Sequence, residues 1–175
     1  MSDVLEKIKS RRSIRSFKKD MVPKEMIEQI MEAGTYAASG MNVQVPIIIA
    51  VTNKEKRDEL QKINAKFMGK GEDFDPFYGA PVILVVLALK ERPTYVYDGS
   101  LALGNMMLAA HELGLGSCWI HRAKEEFELP EWKEFAKSLG IEGEFEGIGH
   151  LALGYIDGEY PDTPPRRPGR TFFVE

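Results

Sequence analysis

The longest apolar pattern in the chain runs from Asp98 to Arg122 and predicts a buried helix followed by a strand. A helix that is apolar nearly all round must be buried on nearly all sides. We expect Asp98 to cap its start and Gly114 or Gly116 to end it in a left-handed conformation, before a strand at Ser117–Ile120. Roughly sixteen helical residues are too few to span a membrane. The pattern therefore predicts the central helix of a soluble core, shared with a second subunit. Its apolar positions are Leu101, Ala102, Leu103, Met106, Met107, Leu108, Ala109, Ala110 and Leu113.

Shorter patterns fill the rest of the chain. We expect helices over Asp3–Ser10, from Pro23 to about Gly34, from the capping box Thr52-Asn53-Lys54-Glu55 to about Asn64, and over Pro130–Leu139. We expect strands over Val45–Val51, Pro81–Leu89 and Phe145–Tyr155, the first long enough to be central in a sheet. Lys66–Gly79 mixes glycines, acids and aromatics, a composition typical of a functional lid. Helices outnumber strands, which favours an α+β domain with one main sheet over an α/β domain.

The last twenty residues, Ile156–Glu175, contain four prolines and cannot form a regular helix. They nevertheless end in Thr171-Phe172-Phe173-Val174, and a mere tail would not need those aromatic rings. We therefore expect an extended arm that packs on a partner subunit.

Composition and charge narrow the function. A length of 175 residues fits one domain, and a net charge of −4 gives no electrostatic reason to expect a nucleic acid partner. Cys118, the single cysteine, excludes an intrachain disulfide and fits a reducing compartment. The N-terminus is charged from residue 3 and has no secretory apolar region. The default expectation is a cytoplasmic protein.

Two features suit a phosphate-bearing planar ligand. Arg11, Arg12, Ser13 and Arg15 place three guanidinium groups and a hydroxyl within five residues. A second basic cluster, Arg166, Arg167 and Arg170, lies in the arm. The loop Ala38–Gln44 offers amides, a hydroxyl and a glycine that permits close backbone approach. On these residues alone, a solvated basic run explains the arginines about as well as phosphate binding does, and an ordinary turn explains the loop better than a binding role.

Several familiar active sites are excluded. The sequence has no phosphate-binding loop, and Gly114-Leu115-Gly116 follows a helix where a dinucleotide fingerprint must precede one. Cys118 and His121 face opposite sides of a strand, so a nucleophilic pair is not expected. His111, His121 and His150 lack metal-ligand spacing. We expect His111 to be a core residue and Tyr36, Trp119 and Tyr155 to serve packing. Reactive power would then come from a bound organic cofactor.

Taken together, these segments resemble the FMN-dependent nitroreductase family, as a compact member. The similarity covers nearly the whole chain, and its motifs occur in family order. They are Arg11-Arg12-Ser13-Ile14-Arg15-Ser16-Phe17, Ala38-Ser39-Gly40-x-Asn42-x-Gln44, Leu103-Gly104-Asn105, Gly114-Leu115-Gly116-Ser117-Cys118-Trp119-Ile120, Ala152-Leu153-Gly154-Tyr155 and Pro165-Arg166-Arg167-Pro168.

The resemblance implies a fold and a cofactor site. It implies an α+β homodimer with exchanged arms, a central, mostly antiparallel sheet flanked by helices, and two FMN sites at the interface. Residues 1–155 would form the FMN-binding domain and residues 156–175 the arm. Phosphate would be held by Arg11, Arg12, Ser13 and Arg15 with Arg166 or Arg167. The partner would supply Ser39, Gly40, Asn42 and Gln44. The backbone at Ile120, His121 and Arg122 would lie beside the flavin, with an N–H directed at N5.

The resemblance also implies an activity. NADH or NADPH would reduce the flavin and leave, and a nitroaromatic, quinone or activated alkene would then be reduced in the same place. No side chain need act as acid or base. A flavin-dependent dehydrogenase or dehalogenase and a non-catalytic FMN-binding sensor dimer are the alternatives. Val45-Pro46 follows Gln44 where the family usually has Pro-Trp, and His121-Arg122 replaces a small or acidic residue. Both departures bear on substrate choice.

Overall fold

The computed structural model describes residues 3–175 and contains four strands and six α-helices within that range. The strands are β1 (Pro46–Val51), β2 (Val82–Leu89), β3 (Gly116–Ile120) and β4 (Phe145–Gly154). The helices are α1 (Asp3–Ser10), α2 (Lys24–Thr35), α3 (Lys54–Phe67), α4 (Tyr95–Glu112), α5 (Ala123–Glu128) and α6 (Pro130–Ser138). A short 3₁₀ turn covers Gly40–Asn42.

All strand pairs in the sheet are antiparallel, and the order is β1-β2-β4-β3. The expectation of an α+β domain around one antiparallel sheet is confirmed. The prediction that the first strand is central is wrong, because within the described chain β1 pairs with β2 alone and forms an edge. Apolar residues on both faces of a strand indicate that helices cover both faces. They do not indicate whether the strand lies at the centre or at the edge of the sheet.

Helices cover both faces of the sheet. On one face, α2 and α4 pack through Ile30, Leu103 and Met106 against alternate residues of β2 and β4. On the other face, Leu60 of α3 and Phe127 of α5 pack against the intervening residues. Both faces of the central strands are therefore dry, which explains the almost unbroken apolar sequence of β2.

The central helix differs from its prediction at both ends. It begins at Tyr95, so Asp98 lies within the first turn, is 3% exposed and does not cap the helix. Gly114 takes the expected left-handed conformation with φ of 75°, whereas Gly116 is the first residue of β3. One chain leaves part of this helix uncovered, since Leu101 is 51% exposed on the outer face; burial of that face by a second subunit stays a prediction.

Other boundaries shift by a few residues. Asn53 caps α3 by accepting from the Lys56 N–H at 2.9 Å, so the expected capping box at Thr52 is wrong. Helix α5 was not predicted, because its six residues are too few to show a helical period. The segment expected as a lid continues α3 as far as Phe67, and its Phe77 side chain is fully buried in the core.

The C-terminal arm leaves the sheet beside the segment that follows α1. Ile156 forms a bridge with Phe17, and the Asp157 N–H donates to the Ser16 carbonyl at 3.1 Å. Farther along, Phe172 and Phe173 are 84% and 94% exposed. Among residues 3–175, no helix combines the length and the apolar character needed to cross a membrane.

Candidate functional site

The arginine cluster, Arg11 to Arg15, lies where α1 ends, beside the first residues of β3. The Ile14 N–H donates to the Ser117 carbonyl at 3.0 Å, and Ser13 forms a parallel bridge with Ser117. The buried Ile14 side chain anchors this segment to the core. The sequence therefore alternates an inward apolar residue with outward polar ones, and this holds the cations together at the surface.

Two guanidinium nitrogens in this cluster have no partner. Arg11 Nη1 and Arg12 Nε are buried and have no acceptor within the described part of the chain. A buried donor left unpaired costs free energy comparable to a lost hydrogen bond. Arg12 also binds the Arg11 carbonyl and Thr163 of the arm. The unpaired nitrogens make the cluster suited to an oxygen-rich anion such as a phosphate.

Cys118 lies beneath the cluster but has the character of a core residue. Burial raises the pKa of the thiol, and the charges of Arg15 and Arg11 and a hydrogen bond from Ser13 only partly oppose that effect. A thiol with a raised pKa is a poor nucleophile. Cys118 is buried whereas His121 is exposed.

His111 forms a contact between α1, α4 and the arm. Its Nε2 lies 2.9 Å from Ser10 Oγ, and its ring stacks on Tyr160 with centroids 5.7 Å apart. The Tyr160 hydroxyl accepts from the Arg12 N–H at 2.8 Å and donates to the Ser10 carbonyl at 3.1 Å. Burial, together with the charges of Lys7 and Arg11, lowers the pKa of His111. The prediction of a core position is wrong, since the ring is only half-buried.

The predicted loop Ser39–Gln44 is a tight turn with strained backbone. Met41, Asn42 and Gln44 all have φ between 52° and 57°, a region that residues other than glycine rarely adopt. The Gln44 N–H donates to Ser39 Oγ at 3.0 Å, and the Gln44 side-chain amide donates to Asn42 Oδ1 at 3.0 Å. Hydrogen bonds within the loop therefore hold together all four residues expected to contact the cofactor.

The loop and the arginine cluster lie at opposite ends of α4. The Gly40 N–H donates to Asp98 Oδ1 at 3.1 Å in the first turn, whereas Ser10 contacts His111 in the last turn. Thirteen helical residues separate Asp98 from His111, a distance of about 20 Å. One chain thus does not bring the two predicted halves of the site together. Arg166 and Arg167 are exposed and lack an ion-pair partner within the described chain.

A third predicted element, the backbone after β3, borders a pocket of about 220 Å³. Arg122 is left-handed, with φ of 85°, and its side chain pairs with Glu125 at 3.3 Å. Within the described residues, no acceptor takes the Arg122 backbone N–H. The lining of the pocket therefore combines aromatic side chains with a residue whose backbone N–H has no acceptor within the described chain. The pocket is lined by Asn64, Met68, Phe74, Pro76, Tyr78, Trp119, Ile120, His121 and Arg122.

An open, mainly apolar groove of about 490 Å³ lies between α1, α2 and α4. Tyr36 lines it and is 79% exposed, so its expected packing role is wrong for a single chain. Trp119 and Tyr155, by contrast, pack against the core as expected. Tyr97 and Leu101 continue the exposed apolar surface along α4.

Three buried polar residues near the pocket were not identified from the sequence. The Asn64 side-chain amide donates to the His121 carbonyl at 2.9 Å and to Glu126 Oε1 at 2.6 Å. Glu126 Oε2 lies 2.7 Å from His150 Nε2. A signal for Asn64 exists, since it follows the buried Leu60 by four positions on the inner face of α3. The described residues contain no cluster of three or more His, Cys, Asp or Glu suited to a metal ion.

The structure therefore defines an α+β protein with a cluster of arginines, an amide-rich loop and a pocket bordered by one backbone N–H that has no acceptor within the described chain. The model of the Nitroreductase family matches residues 8–155. The chain belongs to that family.

Individual relatives support the assignment. A putative NADH dehydrogenase/NAD(P)H nitroreductase of Methanothermobacter thermautotrophicus is 35% identical over 67% of this chain and 60% of that protein. The chain therefore spans less than two thirds of that relative. An NADPH-flavin oxidoreductase of Vibrio harveyi is 28% identical over 100% of the chain and 74% of its own length. A Bacteroides fragilis nitroreductase crystallised with bound FMN is 31% identical, covers 100% of both chains and has a TM-score of 0.89.

Proposed function

We propose that this protein is an FMN-dependent oxidoreductase that takes electrons from NADH or NADPH and passes them to a flat, electron-poor acceptor. The observation that carries the proposal is the pair of buried, unpartnered guanidinium nitrogens on Arg11 and Arg12. They lie in a chain that matches an FMN-bound nitroreductase over its full length. Two relatives whose names mention flavin or NAD(P)H support the same chemistry.

The residues fit the two ends of FMN. Arg11, Arg12, Ser13 and Arg15 provide charged and neutral donors for a phosphate, and they sit on a segment fixed to β3. At the ring end, the unsatisfied Arg122 N–H provides a donor for a ring nitrogen. When bound, the flavin supplies the two-electron chemistry. The polypeptide binds and orients it, and the apolar walls of the pocket limit access of water.

A second copy of this chain completes the proposed site. Because the Ser39–Gln44 loop and the arginine cluster lie about 20 Å apart along α4, a two-fold dimer with antiparallel α4 helices brings one subunit's loop to the partner subunit's cluster. The exposed Tyr97 and Leu101 would be buried in that interface. Arg166 and Arg167 on the arm could then reach the partner subunit, so residues 156–175 act as an exchanged arm beside the 1–155 domain.

The acceptor and the reduced nicotinamide would use the same pocket in turn. Phe74, Tyr78 and Trp119 line it with aromatic side chains suited to flat molecules. A planar acceptor fits this lining. Asp75 binds Arg57 and Phe77 is buried, so the segment that carries Phe74 and Tyr78 is tethered to the core.

The test is the visible spectrum of the purified protein. We expect flavin absorbance that bleaches when NADH or NADPH is added without oxygen and returns when a nitroaromatic or a quinone is added. Steady-state rates should give the parallel double-reciprocal lines of a ping-pong reaction. A colourless protein that does not retain added FMN contradicts the proposal. Bleaching followed by reoxidation no faster than in air would rule out these acceptors.

The same preparation separates the alternatives. Release of halide from a halogenated phenol would indicate a dehalogenase. Flavin that never responds to NADH or NADPH would indicate a sensor. For the dimer, sedimentation of the wild type should give twice the chain mass of 19.7 kDa. The Leu101→Glu variant should sediment with the mass of a single chain. An unchanged mass in Leu101→Glu, or a monomeric wild type, contradicts the proposed interface.

A further inference from the structure

A buried chain of polar side chains leads from the centre of the sheet to the backbone beside the pocket. His150 of β4, Glu126 of α5 and Asn64 of α3 are each 0% exposed. Close contacts link them in that order, and Asn64 ends the chain on the His121 carbonyl. The three residues come from three separate elements, and together they fix one peptide unit.

The packing around this chain leaves it little freedom. A Cβ added at Gly147 of β4 would lie 2.1 Å from the Ala123 carbonyl oxygen, so α5 sits directly on the strand. Phe77 packs edge-on against the His150 ring, with centroids 5.4 Å apart. Glu126 Oε1 accepts from the Asn64 amide, whereas Oε2 lies 2.7 Å from His150 Nε2 in a close contact that lacks hydrogen-bond geometry. The carboxyl group of Glu126 therefore contacts both Asn64 and His150.

The peptide that Asn64 grips is the one that carries the Arg122 N–H. Within the described chain every peptide bond is trans, so the His121 carbonyl and the Arg122 N–H point in opposite directions in one plane. A carbonyl held by Asn64 thus directs the N–H away from the core. Arg122 is left-handed, and a strained conformation of this kind persists only where its surroundings hold it.

We infer that Asn64, Glu126 and His150 act as positioning residues: they aim the Arg122 N–H at the flavin and thereby set its reduction potential. This inference rests on the proposed function. A donor aimed at N5 stabilises oxidised flavin, whose N5 accepts a hydrogen bond, more than reduced flavin, whose N5 bears a hydrogen. Loss of the hydrogen bond from the Arg122 N–H to N5 should therefore raise the reduction potential of the bound FMN.

The test measures the reduction potential of bound FMN in Asn64→Leu, which removes both amide donors at similar volume. We expect the ratio of the dissociation constants for oxidised and reduced FMN to rise about tenfold, which is about 30 mV for a two-electron couple. The ¹⁵N shift of isotopically labelled N5 should move toward that of an unbonded nitrogen. Leu60→Ala, one turn earlier on the same buried face of α3, is the matched control. It should lower stability without changing the potential.

The outcomes separate the two proposals. If the wild type binds no FMN, the proposed function fails. If Asn64→Leu retains FMN with an unchanged potential and ¹⁵N shift, the positioning role is wrong and the proposed function stands. An equal shift in Leu60→Ala would also overturn the inference, because it would indicate a general loosening. If Asn64→Leu does not fold, Asn64→Ser provides the same test, since its shorter side chain does not reach the His121 carbonyl.

Discussion

The two ends of the proposed flavin site are built in opposite ways. The phosphate end comes from five consecutive residues, Arg11 to Arg15, whose charged groups are partly exposed and whose geometry one short segment determines. The ring end presents a backbone N–H whose direction depends on Asn64, Glu126 and His150, all fully buried. The first end is local in sequence and electrostatic. The second is assembled by the fold.

This difference has consequences for mutation. A substitution in the arginine cluster removes a ligand contact and should leave the fold intact, because two of its guanidinium nitrogens have no partner within the described chain. A substitution at Asn64, Glu126 or His150 leaves neighbouring polar groups buried in the core without a partner, so its main effect is on the free energy of unfolding. Affinity and stability should thus respond separately at the two ends.

The largest effect is expected at Glu126. Replacing it with leucine leaves one amide hydrogen of Asn64 buried without an acceptor and removes the 2.7 Å contact to His150 Nε2. Removing one member of a buried pair costs about 3–5 kcal/mol, which urea unfolding of the purified protein would measure. Glu128→Leu, at the exposed end of the same helix, is the control and should change stability by less than about 0.5 kcal/mol. Equal stability of the two variants would show that the buried pair contributes nothing.

The next effect is on affinity. Arg11→Ala should weaken FMN binding by about 1.5–3 kcal/mol, or roughly 10- to 150-fold in Kd, with little change in unfolding free energy. Equilibrium dialysis with FMN measures it. Lys18→Ala removes an exposed cation of the same charge from the neighbouring segment and should leave Kd within about twofold. If both variants lost comparable affinity for FMN, the arginine cluster would act only through its overall positive charge and not through direct contacts with the ligand.

The contrast between the two ends also explains what could be predicted from sequence. The cluster and the Ser39–Gln44 loop were found because their chemistry is contiguous, and most helices because apolar residues recur at their period. Asn64 and Glu126 are 62 positions apart, so no local pattern connects them. The edge position of β1 was missed for a related reason: apolar residues report burial, while strand order depends on how distant segments pair.

In helix α4, the burial that the sequence predicts differs from the burial that a single chain provides. Its all-round apolar sequence predicts burial on every side, and the fold buries only the side that faces the sheet. Leu101 on the opposite side stays exposed. The proposed dimer would bury this remaining apolar face of α4. Asp98 was expected at a helix cap, whereas it binds the Gly40 N–H, a role that only the folded loop reveals.

A smaller effect is expected where the arm meets the arginine cluster. Tyr160→Phe removes the hydroxyl that accepts from the Arg12 N–H and donates to the Ser10 carbonyl. The unfolding free energy should fall by about 0.5–1.5 kcal/mol, as measured by urea denaturation. Tyr36→Phe removes a hydroxyl from a tyrosine that is 79% exposed and should have almost no effect. If Tyr160→Phe changes the unfolding free energy no more than Tyr36→Phe does, the hydroxyl of Tyr160 does not fix the arm to the arginine cluster.

The smallest effect is a pH dependence at His111, between the cluster and the arm. Its pKa in the folded protein lies below the ordinary value of 6.5, because burial and the charges of Lys7, Arg11 and Arg12 disfavour the imidazolium, while Glu112 favours it. Above pH 6.5 the imidazole is neutral in both the folded and unfolded chain and contributes no pH dependence. As the pH falls below 6.5, the unfolded chain takes up the proton first, so stability must decrease.

Urea unfolding between pH 8 and pH 5 should therefore show the wild type losing more stability on acidification than His111→Gln, with the difference confined to the acidic side. Parallel curves, or a difference that grows above pH 6.5, would contradict this sign and remove His111 from the contact between α1, α4 and the arm.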